Sequence, residues 1–361
     1  MTAASVPAPL PSPRPETAPA AIRVPTEVRW VRITAVLLCV IGAGLTVWAF
    51  HRVPDVFPAA TVLAVVLEVP LLLCGWWLAR LSRPLRAPAR TWSAAAVIWG
   101  ATAATGCALQ ANEGLTGLWA KAAGVAFASN WSAALTAPLN EELAKVAGVA
   151  LLALAAPRVI RGPLDGMVYG ALVGLGFQVM ENVTYSLNFI PLTGATNPGA
   201  AVALSAVLRV GLTALGSHWA MTAVAGAGVG YLAARGLRRG ALPAAACLAG
   251  AMVMHLQFDA PAPALVILPK VLVNFVVVMV LYLILRRRYR TRARAALARQ
   301  VATGAVPAVE APFLLTRRSR RRRQRQYGFG PVREQVSSRQ LAALAGIEEE
   351  ALTGQGAVLN A

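Results

Sequence analysis

Long apolar stretches separated by short polar segments run through most of the chain. A run of roughly 18 or more apolar residues is long enough to cross the hydrocarbon core of a bilayer as one helix. We predict a membrane-spanning helix in each of eight such runs: residues 33–50, 59–81, 92–111, 132–156, 163–190, 212–234, 241–258 and 264–285. Residues 201–211 are predicted to form an interfacial lead-in to the sixth span. The pattern therefore predicts an all-α membrane protein, a polytopic bundle of about eight transmembrane helices.

The positions of the basic residues support the count of eight. Arginines concentrate before the first span, in every second connection and after the eighth span, whereas the other connections are poor in them. Cytoplasmic segments of membrane proteins carry the excess of Lys and Arg. Eight spans with both termini in the cytoplasm place every basic cluster on one side, and seven or nine spans would put one on the wrong side.

The two ends of the chain differ in composition from the part between them. Residues 1–28 are rich in Pro and Ala and show no apolar periodicity, so we expect a disordered cytoplasmic leader. The transmembrane domain is predicted to cover residues 29–285. Residues 286–361 are expected to form a basic cytoplasmic tail, in which residues 338–352 can form a short amphipathic helix.

Composition excludes a soluble globular domain and narrows the partners. Of 361 residues, 57% are hydrophobic and only 14% are charged, which is too apolar for a soluble domain of this size. Most of the net charge of +19 comes from the predicted cytoplasmic connections and the tail. Anionic lipid is the expected partner of such basic segments, and nucleic acid is not. The four cysteines fall in separate apolar runs, so neither a disulfide framework nor a thiolate metal site is predicted.

Span four contains charged residues where solubility does not require them. Glu141, Glu142 and Lys145 lie inside the otherwise apolar run 132–156. Ionisable groups at membrane depth cost at least a few kcal/mol, and they usually face a protein interior or a wet cavity that has a function. At helical spacing Glu141 and Lys145 share a face, so we expect that pair to form while Glu142 points elsewhere.

Three other predicted spans carry polar groups of the same kind. Span five contains Glu181 and Asn182, span six contains His218, and span seven contains His255 and Asp259. At a rise of about 1.5 Å per residue, the ionisable groups of spans four to seven lie about 21–27 Å from the cytoplasmic ends of their helices. This common level, in the outer half of the bilayer, predicts one shared site inside helices 4–7.

Carboxylates beside imidazoles in a largely dry cavity can activate water for hydrolysis. Glu141 or Glu142 fits the role of general base. Asn182 or a protonated histidine could bind the oxyanion of a tetrahedral intermediate. The spans contain no evident nucleophile of a Ser-His-Asp set, no phosphate-binding glycine loop and no HExxH motif. Glutamate-activated water is therefore the favoured route, and it needs no cofactor.

Zinc is the alternative that the sequence leaves open. His218, His255 and Glu181 would make a three-ligand catalytic site with an open fourth position. Nothing in the spacing of these residues decides between zinc and glutamate-activated water.

Two further classes of function also remain open, together with simple packing roles. The same buried carboxylates and histidines could form the proton relay of a proton-coupled transporter, although the two halves of the chain show no repeat. A non-catalytic membrane scaffold is the third possibility. Glu68, which has no evident partner at its level, is assigned to helix packing. The glycines Gly226, Gly228 and Gly230 are assigned to close contact with a neighbouring helix.

The polar motifs of spans four to seven resemble, in order, those of the PrsW family of intramembrane proteases. That family is related to the CAAX prenyl endopeptidases and, more distantly, to a scaffold subunit of gamma-secretase. The resemblance covers residues 132–259 and rests on Glu141-Glu142-x-x-Lys145, Phe177-x-x-x-Glu181-Asn182, His218 followed by Thr222 and Gly226, and His255-x-x-Phe258-Asp259.

The resemblance implies a protease of the bacterial inner membrane that cleaves a membrane-anchored protein, as the type member cleaves an anti-sigma factor. It also implies roles for individual residues. Glu141 would activate water, Glu181 would assist it, and His255 with Asp259 would bind the oxyanion.

Overall fold

The computed structural model describes residues 26–357, with side chains described for residues 28–351. Within this range the chain is helical and contains no strand. The predicted disordered leader, residues 1–28, falls almost entirely outside the described residues. The all-α fold class predicted from the apolar pattern is confirmed.

The helices follow the order of the predicted spans, and most of them are longer than the apolar runs. Their bounds are α1 Thr26–Phe50, α2 Val53–Val56, α3 Pro58–Ser82, α4 Arg90–Trp99, α5 Thr105–Ala123, α6 Val125–Ala155, α7 Pro163–Leu192, α8 Pro198–Ala206, α9 His218–Asp259, α10 Ala264–Ala302, α11 Ala311–Leu314, α12 Arg317–Arg325 and α13 Pro331–Ala357. A π-helical turn, Gly100–Ala104, joins α4 to α5. A second π-helical segment, Val207–Thr213, follows α8.

Five helical segments of the described chain are long and apolar enough to cross a membrane, which makes this a multi-pass membrane protein. They are Val28–Phe50, Pro58–Ser82, Arg90–Ala123, Pro198–Asp259 and Ala264–Ala302. Helices α6 and α7, which carry the charges of predicted spans four and five, are not among them. The finer count of eight spans stays a prediction.

The sixth predicted span begins later than the apolar run suggests. Helix α9 starts at His218, and π-helical and 3₁₀ turns occupy residues 207–216 before it. Hydropathy shows no break there because the run stays apolar throughout. The chain passes so close to α10 that a Cβ on Gly216 would lie 2.1 Å from the carbonyl oxygen of Val271. Helix α9 itself bends at Gly236, whose φ of 66° is not helical, so residues 218–235 and 237–259 are two segments.

Helices α7 and α9 pack against each other along a stripe of glycines. On α7, a Cβ added to Gly166 or Gly170 would lie 2.1–2.2 Å from a backbone oxygen of α9. Gly226 and Gly230 face this stripe from α9, which confirms their predicted packing role, while Gly228 contacts Ala244 beyond the bend. Close approach of the two backbones brings the polar ends of α7 and α9 together.

The tail after residue 285 is folded against the helical bundle. Helix α10 continues to Ala302, and α13 contains the predicted amphipathic segment 338–352. Apolar side chains of the tail form a buried cluster with Leu85, and its other members include Leu297, Leu344 and Ile347. Segment 286–351 is therefore packed against the predicted transmembrane domain.

Candidate functional site

Helix α6 supplies a buried cluster of two carboxylates and one ammonium group. Glu141, Glu142 and Lys145 are each at most 2% exposed. The Nζ of Lys145 lies 2.7 Å from Oε1 of Glu142 and 3.3 Å from Oε2 of Glu141. The expectation that Lys145 pairs with Glu141 alone is wrong, because a flexible lysine reaches both carboxylates from one turn further along the helix.

His218, the first residue of α9, links this cluster to α7. Its Nδ1 lies 3.1 Å from Nζ of Lys145, and its Nε2 lies 2.7 Å from Oε2 of Glu181. An ammonium group can only donate, so Nδ1 accepts and Nε2 carries the proton that is donated to Glu181. Phe177 closes the apolar side, with its ring centroid 4.1 Å from Nζ of Lys145.

His255 lies between two carboxylates on the other side of Glu141. Its Nδ1 is 3.0 Å from Oε1 of Glu142, and its Nε2 is 3.2 Å from Oδ2 of Asp259. Only the doubly protonated imidazolium donates to both. Thr222 completes the surroundings of Glu142 by donating its hydroxyl to Oε2 at 3.2 Å. The structure thus brings together the acids and imidazoles of α6, α7 and α9.

Asn182 lies outside this group and does not face the cavity described below. Its amide nitrogen donates to Oε2 of Glu68 at 3.0 Å, and its oxygen accepts from Nε of Arg209 at 2.7 Å. The amide nitrogen is thus directed to Glu68, and Asn182 is not among the residues that line the cavity. The description of Glu68 as a residue without a partner is likewise wrong, since Asn182 of α7 meets it.

A polar cavity of about 190 Å³ adjoins the cluster. Glu141, Glu181, His218 and Asp259 are in its wall, whereas Glu142 is wholly enclosed by its partners. The remaining lining residues are Asn112, Thr116, Ser132, Ala133, Thr136, Ala137, Tyr185, Arg209 and Phe258. Of the two adjacent glutamates of α6, Glu141 is the one with access to a substrate or to water.

Among the cavity residues that the sequence did not predict, two bind the carboxylates of the site. Asn112 donates its amide to Oε1 of Glu141 at 2.9 Å, and Arg209 forms an ion pair with Glu181. The guanidinium of Arg209 also stacks on the ring of Tyr185, 3.9 Å from its centroid. Asn112 lies just past the end of predicted span three, and Arg209 was the single arginine of an otherwise uncharged outer connection. That isolation was the signal that could have identified Arg209.

The side chains near Glu141 suit a zinc ion both in the kinds of donor atom they offer and in the carboxylates that hold the histidines. One donor atom each from Glu141, His218 and His255 lies within 4.8 Å of the others. The second nitrogen of each histidine bonds a carboxylate, as is usual for zinc-binding histidines. Glu181 is thus an outer partner of His218, and Glu141 replaces it as third donor in the predicted zinc set. For zinc to bind, Lys145 would have to give up its hydrogen bonds to Oε2 of Glu141 and Nδ1 of His218.

The fold and site define a class: a multi-pass helical membrane protein with buried carboxylates and imidazoles beside a polar cavity inside the helical bundle. A family model described as PrsW family intramembrane metalloprotease matches residues 88–285, more than half of the chain. The chain belongs to this family, which confirms the resemblance seen in its motifs. No significant match was found among curated proteins or solved structures.

Proposed function

We propose that this protein is an endopeptidase that hydrolyses peptide bonds of a membrane-anchored protein with water activated by Glu141. One observation carries the proposal: Glu141 both lines the polar cavity and is held by fixed donors. Asn112 binds Oε1, and Lys145 donates to Oε2. A carboxylate oriented in this way can accept a proton from a water molecule in the cavity.

The hydrolysis needs a group that accepts a proton from water, a group that donates a hydrogen bond to the oxyanion, and a proton for the leaving amine. Glu141 accepts a proton from the water molecule as the water oxygen attacks the peptide carbonyl. Glu141 then gives that proton to the leaving amine when the C–N bond breaks. His255 provides Nε2–H to the oxyanion in place of Asp259. Glu181, held by His218 and Arg209 on the opposite wall, orients the water.

Support for the orientation of the site comes from the helix ends that surround it. His218 begins α9, at the end of the chain segment 193–217 that follows α7, and Asp259 ends α9, directly before the connection at residues 260–263. With both termini in the cytoplasm, these connections lie on the outer side of a bacterial inner membrane. The proposed substrate, by family resemblance, is a single-span anti-sigma factor cleaved near its outer end.

Zinc-dependent hydrolysis is the second candidate, and the donor set of Glu141, His218 and His255 favours it. Bound zinc would act as a Lewis acid that activates water. In that case Glu142 and Glu181 would orient the two histidine ligands. The hydrogen bonds from Lys145 to Glu141 and His218 favour the metal-free route over this one.

Cleavage of a tethered single-span substrate by the purified full-length protein tests the function. We expect Glu141→Gln to lose activity by roughly 10²–10⁴-fold, the usual contribution of a general base. Glu113→Gln, an exposed carboxylate of α5 outside the cavity, is the matched control and should cleave normally. Normal cleavage by Glu141→Gln would reject Glu141 as the base, and absence of cleavage by the unchanged protein would leave the transporter or the scaffold.

Metal dependence is tested on the same preparation. We expect activity to survive a chelator and the purified protein to contain no stoichiometric zinc. Loss of activity with the chelator, restored by added zinc, would establish the metal route instead.

A further inference from the structure

A second cavity, of about 40 Å³, lies at the opposite end of α7 from the candidate site. Asp165 in its wall is 16 residues from Glu181, which corresponds to about 24 Å along the helix. The lining residues come from α7, the first segment of α9, and α10: Gly162, Pro163, Leu164, Asp165, Tyr231, Arg235, Leu285, Arg288, Tyr289 and Arg292. None of them takes part in the proposed hydrolysis.

Three arginines of this cavity lack a counter-charge in the described structure. Arg288 and Arg292 are one helical turn apart on α10, a spacing at which like charges repel, and Arg235 faces them from α9. No carboxylate within residues 28–351 forms an ion pair with any of the three. Asp165, the one acid in the wall, is occupied by Arg83 at 2.6 Å and by a backbone N–H. The wall therefore favours a bound anion.

The size and surroundings of the cavity indicate which anion it fits. At about 10–15 Å³ for each water molecule, the cavity holds about three waters, or one group of phosphate size. Leu285 lies in its wall, and Leu237, two residues after Arg235 of the wall, is 77% exposed. Tyr231 and Tyr289 are residues typical of the level of lipid headgroups. A lipid can place its phosphate among the arginines and its acyl chains against the leucines.

We propose that this cavity binds the phosphate headgroup of an anionic phospholipid on the cytoplasmic side of the protein, between α7, the first segment of α9, and α10. The site is independent of the proposed protease activity. It differs from general attraction of basic segments to lipid because it requires particular arginines that share one cavity.

Lipid retention by the full-length protein tests the site. The protein is reconstituted in nanodiscs of phosphatidylcholine with a minor fraction of phosphatidylglycerol, and native mass spectrometry then counts the phosphatidylglycerol that remains bound. Because hydrogen bonds to a bound charged phosphate are stronger than diffuse attraction, Arg288→Gln with Arg292→Gln should reduce retention by roughly a hundredfold. The matched control is Arg287→Gln with Arg294→Gln, which removes the same charge from exposed positions of α10 outside the cavity. We expect a loss of about threefold or less for this control.

Three results would overturn the proposal. Equal losses in the two double variants would show diffuse electrostatic attraction. Displacement of phosphatidylglycerol by millimolar inorganic phosphate would identify a site for free phosphate. If the cavity variant fails to fold, Arg235→Gln on α9 replaces it, and unchanged retention in that variant would reject the site.

Discussion

The ammonium group of Lys145 has three acceptors, one for each of its protons: Glu141, Glu142 and Nδ1 of His218. It is completely buried, and so are the two carboxylates that it neutralises. A buried ion pair is a poor source of net stability, but removing one partner leaves the other charge uncompensated, at a cost of about 3–5 kcal/mol. Lys145 thus fixes both the charge balance of the site and the tautomer of His218.

Replacement of Lys145 by methionine should therefore destabilise the protein strongly and abolish cleavage. We expect the thermal unfolding midpoint of the purified protein to fall by several degrees. Lys121→Met, at an exposed position near the end of α5, serves as control and should leave the midpoint unchanged. A Lys145→Met protein as stable as the control would mean that the adjacent glutamates are held without a counter-charge.

Single residues show where the sequence stopped being informative. The sequence was sufficient to select Glu141, Glu181, His218 and His255, because an ionisable group inside an apolar run is costly and usually has a function. Asn112 could not, since an amide near the end of a span is consistent with ordinary solvation. The direction of a side chain also depends on its neighbours, and so Asn182 was placed with the catalytic groups although it binds Glu68.

At the scale of the helices, the α7–α9 contact determines whether the site is assembled. Gly170 of α7 meets the backbone of Thr222, and a Cβ there would lie 2.2 Å from a carbonyl oxygen. A backbone atom cannot yield as a flexible side chain can. The separation of α7 and α9 must therefore increase, which would draw Glu181 away from His218.

Gly170→Ala should lower both stability and cleavage, against the usual trend for this substitution. In an unconstrained helix, Gly→Ala stabilises by roughly 0.5–1 kcal/mol. Gly117→Ala in α5 is the matched control, because no atom lies within 4 Å of its added Cβ. We expect thermal unfolding to shift downward for Gly170→Ala and not for Gly117→Ala, and equal behaviour of the two variants would contradict the close packing.

The tail is fastened to the membrane domain through Glu348 of α13. This carboxylate is 1% exposed and binds Arg83 at 3.0 Å, Arg86 at 2.5 Å and Arg161 at 2.9 Å. Burial alone would raise the pKa of Glu348, but the charge of Arg83 and the hydrogen bond from Arg86 outweigh it and hold that pKa below its ordinary value. The attachment is thus strongest when Glu348 is ionised.

Attachment of the tail should consequently be lost in acid and kept at neutral pH. A lowered pKa stabilises the docked state above the ordinary glutamate pKa of about 4.3, and this stability disappears as pH falls further. Hydrogen exchange of α13, measured relative to its intrinsic rate at each pH, should accelerate below about pH 4. Glu348→Gln should accelerate it already at pH 7, whereas Glu334→Gln, exposed on the same helix, should not. Slow exchange in the Glu348 variant would show that apolar packing alone holds the tail.

Helix positions were more predictable than helix ends, for a physical reason. Apolar runs identify which segments are buried in lipid or protein, so the centres of the predicted spans fall inside observed helices. A helix end depends instead on backbone conformation and on tertiary contacts. The late start of α9 at His218 and the extension of α10 to Ala302 are of this kind, whereas the bend at Gly236 falls in the predicted connection between spans six and seven.

For the molecule as a whole, the number of membrane crossings decides on which side of the bilayer the site opens. Hydropathy of the helices supports five long segments and treats Pro198–Asp259 as one of them. The bend at Gly236 divides α9 into two segments of crossing length, as the basic connection at residues 235–239 also requires. With eight spans, the residues just before α8 and the tail lie on opposite sides of the membrane. With five spans, they lie on the same side.

Labelling of single cysteines in intact cells distinguishes the counts. In a variant without the four native cysteines, Thr196→Cys before α8 and Ser338→Cys in α13 provide exposed reporters. Eight spans place three crossings between them, so a membrane-impermeant maleimide should label residue 196 and reach residue 338 only after permeabilisation. Five spans place two crossings between them, and both reporters would then react alike. Equal labelling would therefore reject the eight-span topology and, with it, a cavity that opens to the outer side.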